Sequence, residues 1–133
     1  MMSEHVNTVK SLYEAFGRGD IATILANVAD QTEWGFNVAQ SDVPWHAPVK
    51  GKAALPRFFE AFGQVQLTQF EPRAFLTNDG QVATLIHIEY TVKKTGRKVV
   101  QDQIHLWQFD ASGKIASMQH FEDTAQVLSA FHG

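Results

Sequence analysis

The stretch Gln81–Phe109, QVATLIHIEYTVKKTGRKVVQDQIHLWQF, decides the fold. In ATLIHIEYTV, Ile86, Ile88 and Tyr90 point one way, while Leu85, His87, Glu89 and Thr91 point the other. In VQDQIHLWQF, Gln103, His105, Trp107 and Phe109 share a face. Two alternating runs around a glycine-containing tip spell a β-hairpin. The tip itself, KKTGRK, reads as a solvated turn rather than a nucleic-acid patch.

Outward from this hairpin, NDG joins it to an earlier strand, LTQFEPRAFLT, and DASG joins it to a later one, KIASMQHF. Short turns of this kind make all four strands antiparallel neighbours. Upstream, SEHVNTVKSLYEAFGRGD places Val6, Val9, Leu12, Tyr13 and Phe16 on one helical face. Asp20 caps a second helix, IATILANVA. Gln31–Ala39 reads as a short strand with Trp34, Phe36 and Val38 on one side, and SDVPWHAPVKG as a loop. A third helix starts near Leu55, because Pro56 is tolerated only in a first turn. A last helix, Thr124–Phe131, is capped by Asp123. This order predicts an α+β architecture, one domain over residues 1–133, with helices on one face of a sheet.

With 44% hydrophobic and 19% charged residues, the chain can bury a core. Its ten Phe, three Trp and two Tyr can fill that core or line a pocket for a flat apolar ligand. The formal charge of −3 without basic clusters argues against nucleic acid. The absence of cysteine removes disulfides, thiolate nucleophiles and cysteine metal sites. No apolar run is long enough for a membrane span and the N-terminus has no signal core, so the expectation is a soluble, cytoplasmic protein without a membrane partner.

Several phrases carry a resemblance: LYEAFGRGDI (Leu12–Ile21), Glu33–Trp34, Pro44–Trp45, KGKAALPRFFEAF (Lys50–Phe62), Thr95–Arg97, IHLWQFDASGKI (Ile104–Ile115) and the closing HFEDTA. In this order they resemble the nuclear transport factor 2-like superfamily, and within it the SnoaL-like polyketide cyclase branch. The superfamily includes ketosteroid isomerase, scytalone dehydratase, limonene epoxide hydrolase and aldol-type cyclases. The resemblance implies a curved, mixed or antiparallel sheet wrapped around the N-terminal helices as a cone (an α+β roll). It also implies a central apolar pocket with a few polar groups at its floor, and homodimers through the convex face of the sheet.

It further implies where chemistry sits. His120 matches the position of an acid/base aspartate, His105 that of a pocket histidine, and His87-x-Glu89 that of an Arg-x-Asp pair. An imidazole of ordinary pKa, about 6.5, is a competent base near neutrality. His120, His105, His87 and Glu89 are therefore the candidate catalytic set. Tyr13 is a candidate hydroxyl donor, with Trp34, Trp45, Phe58, Phe62 and Trp107 as walls. No HExxH or comparable metal spacing is present, and the chemistry expected needs no metal and no cofactor. One reading is an enzyme moving protons on a small apolar carbonyl compound, as an isomerase, cyclase or dehydratase. The other is a non-catalytic small-ligand-binding or dimerisation module, since the family carboxylates are replaced.

Overall fold

The computed structural model describes residues 2–133, with side chains from Glu4 onward. Helix α1 (Met2–Arg18) buries Val9, Leu12 and Ala15. Asp20 then caps α2 (Ile21–Ala26), accepting from the Thr23 N–H at 3.1 Å and its hydroxyl at 2.6 Å. Strand β1 (Val28–Phe36) begins and ends earlier than the sequence suggests, so Val28 leaves the helix and Val38 lies beyond the strand. The polar residues Asp30 and Gln31, both facing away from the core, hide its first half.

The expected loop is also more ordered than its prolines imply. It holds a 3₁₀ turn, Pro44–His46, and a two-residue strand β2 (Val49–Lys50) that pairs with β1. Helix α3 (Leu55–Phe62) carries Pro56 in its first turn. Strands β3 (Val65–Asn78), β4 (Gln81–Val92), β5 (Lys98–Phe109) and β6 (Ile115–Phe121) form the antiparallel meander. Helix α4 (Thr124–His132) closes the chain, its first turn capped by Asp123, whose carboxylate accepts from the Gln126 N–H at 3.2 Å.

The sheet order is β2-β1-β6-β5-β4-β3, and β1 joins β6 in parallel, which makes the sheet mixed. Pro72 sits within β3, which tolerates it because β3 is an edge. Register shifts at Leu67/Gln69 and Pro72/Ala74, and again at Gln108/Phe109, bend the sheet into the curved wall that an α+β roll requires.

Two clusters share the concave side. One packs α1 and α2 on Trp34, Trp107 and Met118. The other packs α4 and the Pro44–His46 turn on Ile86, Tyr90 and Val99. Tyr13 and Phe58 touch both. The β4–β5 tip secures the second cluster, with Thr95 Oγ1 donating to the Ala130 carbonyl at 2.6 Å and Lys94 lying 3.8 Å from the Phe131 ring centre. Among the described residues no helix is long and apolar enough to cross a membrane.

Ile86 is wholly buried at the centre of β4 and does not line the cavity described below. Ile86→Ala is expected to lower unfolding free energy by about 2–5 kcal/mol, measured by chemical denaturation against the parent chain.

Candidate functional site

Where the two clusters meet they leave a cavity of about 70 Å³. Trp34, Trp45, Phe58, Phe62 and Trp107 form much of its wall, and Tyr13, Gln103, His105, His120 and Glu122 supply its polar atoms. A dry engineered cavity of about 150 Å³ accommodates benzene. The space here holds a few waters or a small group, and a multi-ring guest would need the phenylalanine walls to move.

The polar atoms are linked by a hydrogen-bond chain whose ends fix every proton between them. The Trp107 indole N–H, a donor only, points at the Tyr13 oxygen at 3.1 Å. Tyr13 therefore donates its own hydrogen to His105 Nδ1 at 2.9 Å. At the other end, the Asp123 N–H donates to Gln101 Oε1 at 3.1 Å, and Gln101 Nε2 donates to the Asp123 carbonyl at 3.2 Å. Gln101 Oε1 also accepts from Gln103 Nε2 at 3.2 Å, which leaves Gln103 Oε1 facing His105 Nε2 at 3.4 Å. His105 is thus neutral, with its proton on Nε2. Burial drives its pKa well below the ordinary range, and neighbouring His120 pushes the same way. Burial raises the Tyr13 pKa, with Thr84 and then the Trp107 N–H pulling the other way.

His120 sits beside His105, with ring centres 4.4 Å apart and planes inclined at 67°. Its other face stacks on Phe36 at 3.9 Å, a contact set by the pairing of Phe36 with His120 between β1 and β6. Nδ1 lies 3.2 Å from the Gly35 carbonyl and must donate to it, so Nε2 keeps its lone pair. Burial lowers the His120 pKa to about 3, with the Gly35 bond opposing and nearby His46 assisting. The neutral-pH base expected from an ordinary imidazole is therefore corrected: this ring is uncharged and weakly basic at rest.

Two further groups went unassigned from sequence. Glu122, just past the end of β6, continues the parity of His120 and turns its carboxylate to the cavity. The alternation that runs His120, Phe121, Glu122 already puts Glu122 on the face of His120. His46 carries no such signal, because only the Pro44–His46 turn brings it inward. His46 Nε2 lies 2.8 Å from Glu122 Oε2, and both side chains are 1% exposed.

His87 and Glu89 do not join the set. Along β4 the buried residues are Val82, Thr84, Ile86, Ile88, Tyr90 and Val92, which puts His87 and Glu89 on the outer face. The apolar alternates took the concave side, so the charged pair had to face out. There His87 is bracketed by Glu89 at 2.7 Å and Asp102 at 2.8 Å, which raise its pKa. Among the described residues no group of side chains is arranged to hold a metal ion.

A curved mixed sheet closed by helices over a central cavity defines the nuclear transport factor 2-like class, and comparison with solved structures agrees. A protein of this class from Burkholderia xenovorans LB400 matches at 26% identity and a TM-score of 0.87, covering 98% of each chain. A candidate SnoaL-like polyketide cyclase from Mesorhizobium loti matches at 21% identity and a TM-score of 0.70, covering 86% of this chain and 96% of that one. A candidate isomerase from Rhodopseudomonas palustris matches at 17% identity and a TM-score of 0.70, covering 91% and 93%. Among proteins of curated function none is a significant match. The family model of the SnoaL-like domain matches residues 9–118, and the chain belongs to that family.

The buried imidazoles link folding to acidity. An unfolded His120 takes up a proton below about 6.5, while the folded one resists until about 3. Protons in that window favour the unfolded chain, so stability falls as pH drops through it. His120→Gln is expected to flatten this decline, measured as denaturation midpoints between the two values.

Proposed function

We propose that the cavity takes a small, largely apolar molecule bearing a carbonyl or hydroxyl group. The polar wall then moves a proton on that molecule without a cofactor, as in an isomerisation, cyclisation or dehydration. The free lone pair on His120 Nε2, in the wall of a largely apolar cavity, carries this reading. A base that weak accepts a proton only when the charge it creates is balanced at once. An enolate forming beside the new imidazolium supplies that balance, and a dry wall strengthens the attraction. His105, tied at both nitrogens, orients the Tyr13 hydroxyl, which can swing to the developing oxygen. The family kinship to proteins named cyclase and isomerase accords with this chemistry.

The small volume and the low basicity of both imidazoles favour a second reading, a pocket that binds without turnover. One experiment separates the two. Cyclopentanone and larger aryl ketones are incubated with the protein in D₂O, and loss of the α-proton signals is followed by NMR. Catalysed exchange, reduced about a hundredfold or more in His120→Ala, is the expected result. Saturable binding with no exchange above buffer would leave only the binding module.

The outer face of the sheet exposes Val100, Ile104 and Phe121, and Ile104 pairs directly with Phe121. We propose that two copies associate there. Ile104→Lys is expected to turn a sedimenting dimer into a monomer, and a monomeric parent chain would dismiss the idea.

A further inference from the structure

The buried carboxylate of Glu122 is sealed from solvent on its own side, yet it is not isolated. Its Oε2 meets His46 Nε2 at 2.8 Å, and His46 Nδ1 meets the Ser41 hydroxyl at 2.7 Å. Ser41 is exposed, and its oxygen is held in place by the Val43 N–H at 3.0 Å. Glu122 lines the cavity, whereas Ser41 and His46 line a separate open groove beside β1 and β2. Three side chains thus cross the wall between the apolar cavity and the open groove. Gln103 Nε2, 3.5 Å from Oε1, steadies the inner end.

We propose that Glu122, His46 and Ser41 form a proton relay through the cavity wall, by which Glu122 exchanges protons with solvent while a molecule is bound in the cavity. The proposal rests on the acid/base reading of the cavity and adds to it a carboxylate on the same wall that takes the proton from His120 Nε2, returning that ring to its neutral form and itself becoming the protonated Glu122. In the loaded state Glu122 O–H donates to His46 Nε2, and His46 Nδ1–H donates to Ser41, whose hydrogen faces water. In the unloaded state His46 Nε2–H donates to the carboxylate, and the Ser41 hydroxyl donates to Nδ1. Passing from the first to the second moves the Glu122 proton to Nε2 and the Nδ1 proton to Ser41 Oγ. The original Ser41 hydrogen goes to water, so one proton leaves and the imidazole changes tautomer without net charge. The return path loads Glu122 from outside by the same steps. His120, close enough to His46 for the two to interact electrostatically, keeps its Nδ1–H on the Gly35 carbonyl throughout.

The test has two arms. In the first, no ligand is present, and solvent exchange of the His46 ring N–H is measured by NMR on protein labelled with ¹⁵N-histidine. Exchange faster than burial alone permits is expected, slowed roughly tenfold in Ser41→Val and restored in Ser41→Thr. Equal exchange in Ser41→Val would overturn the relay. In the second arm, α-deuterated cyclopentanone is incubated in H₂O and washout of its label is followed. With an intact relay the label is lost to solvent. In Glu122→Gln and His46→Phe it is expected to persist, with washout down roughly tenfold. Undiminished washout in both variants would also overturn the relay. If the parent chain washes out no label, the catalytic reading of the cavity fails, and the first arm alone decides the relay.

Discussion

A polar atom taken out of water has to find a partner inside the protein, and that requirement governs the cavity wall. A buried unpaired donor or acceptor forfeits free energy of the same order as a sizeable share of a domain's net stability. The wall answers with a chain from the Trp107 indole, through Tyr13, His105, Gln103 and Gln101, to the backbone of Asp123. Because each end offers a group of fixed polarity, the direction of every bond between is settled. Two consequences follow for chemistry. His105 is committed at both nitrogens, and His120, committed only at Nδ1, is the imidazole with a lone pair to offer.

The same accounting links architecture to the site. Asp123 both caps α4 and anchors Gln101, so the start of the helix that closes the second core also sets Gln101, which in turn fixes the Gln103 amide facing His105. Phe36 both extends β1 and stacks on His120. Tyr13 both packs between the two cores and donates to His105. Changing Tyr13 therefore alters packing and proton placement together.

Much of this was legible in the sequence because strand alternation and turn chemistry are local. The meander, the caps at Asp20 and Asp123, the start of α3 at Leu55 and the class of fold all follow from neighbours in the chain. That His105 shares a face with Gln103 and Trp107 was readable from alternation, and the family resemblance implied that this face turns to the pocket. What alternation alone cannot supply is which of two faces is concave. His87 and Glu89 share a face, as their spacing says, but the apolar partners Ile86, Ile88 and Tyr90 claimed the interior. Nor is a tertiary encounter written locally: His46 reaches Glu122 only because a short 3₁₀ turn is packed under the end of β6. The two-residue strand β2 was hidden for the same reason, since two residues carry no period.

The parallel pairing of β1 with β6 has a consequence for how the molecule comes into being. Strands β3 to β6 can assemble from adjacent segments, but the partnership of Phe36 with His120 joins residues from opposite ends of the chain. Contacts so distant along the chain demand a large loss of loop entropy before they return anything. During synthesis the hollow cannot close until the final strand has left the ribosome. A nascent chain therefore carries its aromatic lining exposed and without a guest, and the capacity to hold a ligand arrives in one late step.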